Sequence, residues 1–417
     1  MNSKPVNTKK SKNICNTLAT ATGCLLGVTA QAQSANDWET DVSVLIYNET
    51  DRVSAFEPAI SLKKTYEDDS VLGFKLVYDA LTGASHNGAA ESDDVQTFTR
   101  PSGNGSYETA AGDVPLDDTF RDSRGSFSVN YEQPIGRFNK MIYGGNISAE
   151  HDFTSMSGSA TYLHDMNQRN TTLSFGVSFE YDDITPEGGI PVALSEMKAN
   201  TQTQERAGDA DTRTMSEVLF GVTQVIDRYT LMQLNYGYSQ SSGYHSDPYK
   251  IVSVLNPDGS LDNTLTSELN GSYIYENRPD SRTKQSLYGK VKRYIGGDVA
   301  DISYRYMWDD WDVVSHTIDT HYRFNMSDSW YIEPHVRYYQ QQEAEFYRYS
   351  LTNTQATPEF VTADYRLGDM TATTIGAKVG FMAGGYANSV RLEMYQQSGD
   401  ESPSDVDALI LQYNISF

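Results

Sequence analysis

The chain has 417 residues and a formal net charge of −24, with 56 acidic side chains against 32 Lys and Arg. That balance excludes a phosphate-reading surface, which needs a basic footprint, so no nucleic-acid partner is expected. Only 38% of residues are hydrophobic, and the mature chain has no run of about 18 apolar residues, which excludes a helical span.

Residues 1–32 read as a cleaved signal peptide. Lys4, Lys9, Lys10 and Lys12 make a positive leader, 14–30 a modestly apolar stretch, and Ala30-Gln31-Ala32 a small-residue cleavage site before Gln33. Cys15 and Cys24 both fall inside it, so the mature chain 33–417 carries no disulfide or thiol chemistry. Gly23-Cys24 raises a lipoprotein site as the alternative, which Ala21-Thr22 and the following apolar run fit poorly. The stretch between Gln33 and Trp38 leaves no room for a plug domain of the kind that energy-coupled uptake needs.

Period-two alternation begins at once after the signal. Stretch 38–48 carries Val42, Val44 and Ile46 on one parity, 53–64 carries Phe56, Ile60 and Leu62, and 70–79 carries Leu72, Phe74, Leu76 and Tyr78. A long polar segment, 80–124, shows no sustained period. Alternation resumes with Phe127, Val129 and Tyr131, then Met141, Tyr143 and Ile147, then Ala160 and Tyr162, then Leu173 to Tyr181. Further polar segments, 182–213, 241–281 and about 346–371, interrupt strands marked by Val218, Phe220 and Val222, by Leu234 and Tyr236, by Leu287 and Val291, by Ile302 and Tyr304, by Ile318 and Phe324, by Trp330 and Val336, by Ile375 and Val379, and by Val390 and Leu392. The chain closes on Leu409, Leu411, Tyr413, Ile415 and Phe417, all on one parity.

The count is about sixteen strands. Short links, such as 135–139, 226–228 and 295–297, sort to one side and the long segments to the other. Short periplasmic turns, long outer loops and alternating strands define a transmembrane antiparallel β-barrel. The 29 Tyr and 15 Phe suit aromatic girdles at the two interfaces. Tyr413, Ile415 and Phe417 resemble the C-terminal signal read by the barrel-assembly machinery. The expected address is the outer membrane of a Gram-negative bacterium, in contact with its lipids.

Several stretches carry a wider likeness: VYDALTGAS (77–85), QRNTTLSFGVS (168–178), the segment 221–254, RPDSRTKQSLYGKVK (278–292), YRYMWDDWDVVSHTID (304–319), WYIEPHVRYYQQ (330–341) and ADYRLG (363–368). On these the chain resembles an uncharacterised family of Gram-negative outer-membrane proteins, a domain of unknown function. The resemblance implies a barrel and an outer-membrane location, and supplies no substrate. It also points to a periplasmic redox or metal context, with a small lipoprotein or a periplasmic redox protein as partner.

Parity assigns inward faces. The fourth to eighth strands place small, neutral or acidic residues inward, among them Glu132, Glu150, Glu180 and Glu217. The tenth to fifteenth place Lys284, Lys290, Lys292, Arg305, Arg323, Arg337, Lys378 and Arg391 inward, with Asp319, His321, Glu333 and His335 on the same wall. Opposed charges in a lumen tune selectivity in channels; the same charges can also pair across strands and close it. Asp309, Asp310 and Asp312, with His245, Asp247 and His316, are an oxygen-rich candidate whose spacing matches no metal motif, and a solvated loop is the stronger reading. The nearest catalytic sets are Ser315-His316 with Asp319, and His245-Ser246-Asp247. Ser315 and His316 face opposite sides of a strand, and no motif such as G-x-S-x-G is present. The expectation is therefore no enzyme, no cofactor and no metal. It is a porin-like passage for a small anionic or zwitterionic solute or a metal complex. The alternatives are a closed structural or partner-binding barrel and, less favoured, an outer-membrane hydrolase.

Overall fold

A computed structural model of the protein describes residues 38–103, 105–262 and 272–417. The signal peptide and both cysteines lie outside them. Sixteen strands close into one antiparallel barrel. In chain order they are β1 (Trp38–Glu49), β2 (Ser54–Thr65), β3 (Val71–His86), β4 (Leu116–Ile135), β5 (Asn139–Ala149), β6 (Phe153–Met166), β7 (Thr171–Ile184), β8 (Asp211–Asp227), β9 (Thr230–Gly243), β10 (Ser281–Ile295), β11 (Asp298–Asp309), β12 (Val314–Ser327), β13 (Trp330–Gln341), β14 (Met370–Ala383), β15 (Tyr386–Gly399) and β16 (Val406–Ser416). Closure is made by β16 on β1, with Val42 opposite Ile415, Val44 opposite Tyr413 and Ile46 opposite Leu411. A closed ladder satisfies every strand's backbone groups and leaves no edge, which a bilayer demands.

The apolar parity of each strand faces out. Leu76, Phe127, Ile147, Phe175, Phe220, Ile302, Val336, Ile375, Leu392 and Leu411 are all exposed. Large contiguous apolar surface of this kind is a lipid face. Aromatic residues gather near the short turns in cross-strand pairs: Trp38 stacks on Phe74, Tyr229 on Tyr294 and Trp330 on Phe381, and Tyr386 meets Phe417 edge to face at 4.9 Å. Phe417 is also tied to the first strand, its backbone N–H donating to the Thr40 carbonyl at 2.8 Å.

Three of the polar segments are shorter than the sequence implies. β3 runs on to His86 and β4 begins at Leu116, β7 reaches Ile184 and β8 begins at Asp211, and β9 reaches Gly243. These extensions pair in register but stand above the apolar band, where neither face meets lipid and no hydrophobic alternation is needed. The loops between them carry ordered structure of their own. Residues 251–255 pair with 272–275 and, in parallel, with 350–352; residues 96–99 pair with 106–109. Phe98, Tyr273, Val252 and Val361 are fully buried among these segments. Together they cap the outer mouth of the barrel. The segment 244–251 leaves β9 and reaches the rim of β3, where the Ile251 N–H donates to the Asn87 carbonyl at 2.9 Å. Gly88, at φ +100°, makes that crossing possible: a Cβ there would strike the Ile251 carbonyl.

Candidate functional site

Beneath the cap the two sides of the lumen differ. On β6, β7 and β9 the inward residues are small or neutral and buried, including Ser155, Thr161, Ser174, Gln233, Asn235 and Ser239. On β10 to β15 they include many more charged side chains, of which Arg337 and Lys292 are exposed. The basic set falls on the inward face as parity requires, but several of its members are braced. Lys290 pairs with Asp301 at 2.7 Å and Lys378 with Glu333 at 2.7 Å. Arg391 lies 3.7 Å from Glu393. Arg323 sits 3.6 Å from the centre of the Tyr331 ring and donates to Asn325, and Arg305 lies 5.7 Å from the Tyr288 ring. Lys284 sits near the outer rim, opposite Asp309.

The opposite side differs from the sequence expectation. It is not free of cations, because Lys140 pairs with Glu132 at 2.5 Å and Arg124 pairs with buried Asp79. Glu150 is not on a strand; it lies in the 150–152 turn beyond β5. Glu180 and Glu217 face inward as expected, and Glu217 is buried and accepts from Ser178 at 3.0 Å.

At mid-height the charged wall organises around two histidines. His321 on β12 and His335 on β13 are opposite in register, and their rings stack in parallel with centroids 4.1 Å apart. Asp319 faces both: one oxygen is 3.0 Å from His321 Nε2, the other 3.2 Å from His335 Nε2. The remaining nitrogens face glutamates. His335 Nδ1 is 2.8 Å from Glu393 and His321 Nδ1 is 3.8 Å from Glu333. Glu393 belongs to β15, two strands from His335, with Gly376 of β14 between them in register. A Cβ on Gly376 would collide with Glu393, so the missing side chain is what lets the bond form. Asp319, His321 and His335 together offer ligand atoms within 4.8 Å of one another, a mixed imidazole–carboxylate set of the kind that suits transition metals.

The sequence reading placed Asp319, His321, Glu333 and His335 on this wall, and the structure brings all four together. It missed Glu393, Asp301 and Tyr331, each inward by the same parity. Glu393 stands two residues after Arg391, so the alternation alone could have found it.

The other candidates do not assemble. His316 faces outward, its Nδ1 2.7 Å from the Tyr304 hydroxyl, whereas Asp319 faces the lumen. His245 bonds the Ser241 hydroxyl at 2.7 Å and the Gly243 carbonyl. Ser246 accepts from the Arg278 N–H, and Asp247 pairs with Arg366 at 3.1 Å. At the Asp309–Asp312 tip, Asp310 and Asp312 are exposed as a solvated loop requires, but Asp309 is buried, accepts from the Trp311 and Val313 N–H groups and pairs with Arg282.

The cap has a charged core of its own. Arg278 bridges Glu276 (2.7 Å) and Asp364 (2.9 Å), and Arg366 bridges Asp364 (2.6 Å) and Asp247. Lys250 donates to the His86 carbonyl. Glu276, Asp364 and Lys250 are all buried. Burial pushes the Asp364 carboxyl up, but Arg366, Lys250 and Arg278 outweigh it and hold it well below the usual range. Burial pushes the Lys250 ammonium down and the His245 imidazole down to about 4.

A closed sixteen-strand barrel with an apolar outer band and a polar, charged interior is the outer-membrane class of transmembrane β-barrel. The chain belongs to the family described as "Protein of unknown function (DUF3570)", whose model matches residues 15–414. No curated protein matches it. Among solved structures, it is similar to CdiB from Acinetobacter baumannii, with TM-score 0.50 and 8% identity over 93% of this chain and 61% of that one. A bacterial polysaccharide outer membrane secretin gives TM-score 0.45 and 8% identity, covering 92% and 99% of the two chains. The siderophore receptor PirA from Pseudomonas aeruginosa gives 0.42 and 7%, covering 93% and 62%. The likeness to CdiB is one of fold alone. The chain spans about three-fifths of the length of CdiB and of PirA.

Proposed function

We propose that the protein is a capped, porin-like conduit in the outer membrane of a Gram-negative bacterium, passing a small anionic or zwitterionic solute or a metal complex. The observation that carries this reading is the basic set on the inner wall of β10 to β15, where Arg337 and Lys292 are exposed. Exposed cations in a confined, low-dielectric passage raise the local concentration of anions. The protein supplies a path and a field and no chemistry; it is not an enzyme. Liposome swelling tests the reading. A small carboxylate should enter faster than a neutral solute of the same size, and liposomes that admit neither overturn it.

The cap favours a second reading, a closed barrel that serves a periplasmic redox or metal system through a lipoprotein or redox partner. Its buried ion network is what a permanent plug would use. Co-purification of a stoichiometric lipoprotein with a non-conducting barrel supports that alternative.

A further inference from the structure

We infer that Asp319, His321 and His335 form a binding site for one divalent transition-metal ion on the lumen wall. Two imidazoles and a carboxylate are a donor set for ions such as Zn²⁺, Cu²⁺ or Co²⁺, and a poor one for Ca²⁺ or Mg²⁺, which want oxygen. The set is also supported from behind. A metal-bound histidine holds its other N–H on a carboxylate, which fixes the tautomer and aims the lone pair. His335 has that arrangement: Nδ1 faces buried Glu393 at 2.8 Å, and Nε2 faces Asp319. His321 repeats it more loosely with Glu333, itself held by Lys378. The support is built by the backbone, because Gly376 clears the space through which Glu393 reaches His335.

Charge balance permits the ion. The cluster holds three carboxylates, Asp319, Glu333 and Glu393, against the two cations Lys378 and Arg391. A divalent ion brings the same charge as protonating both imidazoles and can replace those protons. Ligand atoms around one tetrahedral ion sit about 3.4 Å apart, and the three groups already hold theirs within 4.8 Å of one another. The site stands whether or not the lumen conducts, since its readout is binding.

The test is titration of the full chain, folded in detergent and stripped with chelator, with Co²⁺ and Zn²⁺. The expected result is one equivalent bound, with visible Co²⁺ bands that Zn²⁺ abolishes and Ca²⁺ does not. His335→Ala and Asp319→Asn should each abolish the bands, and Glu393→Gln should weaken binding by roughly 10- to 100-fold. Heat-modifiable migration in gels verifies the fold of each variant. Should His335→Ala fail to fold, His321→Gln, at the more exposed member of the pair, serves in its place. No binding by folded wild type, or Co²⁺ bands that survive in a His321→Gln/Asp319→Asn double variant, would overturn the site.

Discussion

His335 and Glu393 are joined by a 2.8 Å hydrogen bond across an intervening strand. Neighbouring strands lie roughly 4.8 Å apart, so a side chain on β13 meets one on β15 only where β14 presents nothing between them. Gly376 presents nothing, and Glu393 is buried beneath the bridge. This relationship ties three strands of the charged wall together and orients the imidazole that faces the lumen.

The bridge carries a stability prediction. His335→Ala leaves the Glu393 carboxylate buried, with Arg391 3.7 Å away, and should cost about 3–5 kcal/mol, as breaking a buried pair does. His335→Ala/Glu393→Ala should recover much of that loss. Urea titration of the heat-modifiable form measures both, and strict additivity would show that the two residues do not act together.

Gly376→Ala should fail for a different reason. The added methyl enters space already filled by Glu393 and by the Leu392 carbonyl, so overpacking should cost about 1–3 kcal/mol and part the two side chains. The same unfolding assay reads it, and an unchanged midpoint would contradict the geometry.

The cap should fail independently of the barrel. Arg278→Ala leaves Glu276 and Asp364 buried with one cation fewer and should loosen the outer loops by about 3–5 kcal/mol. Limited proteolysis should then cut within 87–115, 244–280 and 342–369 while the barrel stays resistant. Cleavage no faster than in wild type would show that the ion network does not hold the cap.

Acid should loosen the cap as well, and the sign follows from His245. Burial holds its folded-state imidazole at about 4, against an ordinary value near 6.5. Between those values the opened loop binds a proton that the folded one refuses, so stability is lost as pH falls from about 6.5 towards 4. The groups facing it are Arg213, Arg282 and Lys284, all cationic, and the Trp311 ring 5.6 Å away. Proteolytic sensitivity of the loops should rise across that window, and His245→Gln should flatten the rise. A profile unchanged by that substitution would reject His245 as its source.

The barrel was legible in the sequence because a bilayer imposes the simplest pattern available, one apolar side chain in two on every spanning strand. That pattern was enough for a barrel of about sixteen strands and for the inward position of Arg337, His335 and Asp319. It was silent above the membrane. Residues 80–86 and 116–124 continue the wall with no apolar period, and Asp247 reads as a solvated loop charge when it belongs to the ion network of the cap. Parity also says which way a side chain points and not what it reaches. The bond from His335 to Glu393 depends on a glycine on a third strand, and no single-strand pattern contains it.

The conduit reading is tested most directly by the reversal potential of single channels in a planar bilayer under a KCl gradient. The expected result is a conducting barrel with anion preference that Arg323→Ala/Arg337→Ala diminishes or reverses. The absence of conductance, or a cation preference that the double substitution leaves unmoved, would contradict it.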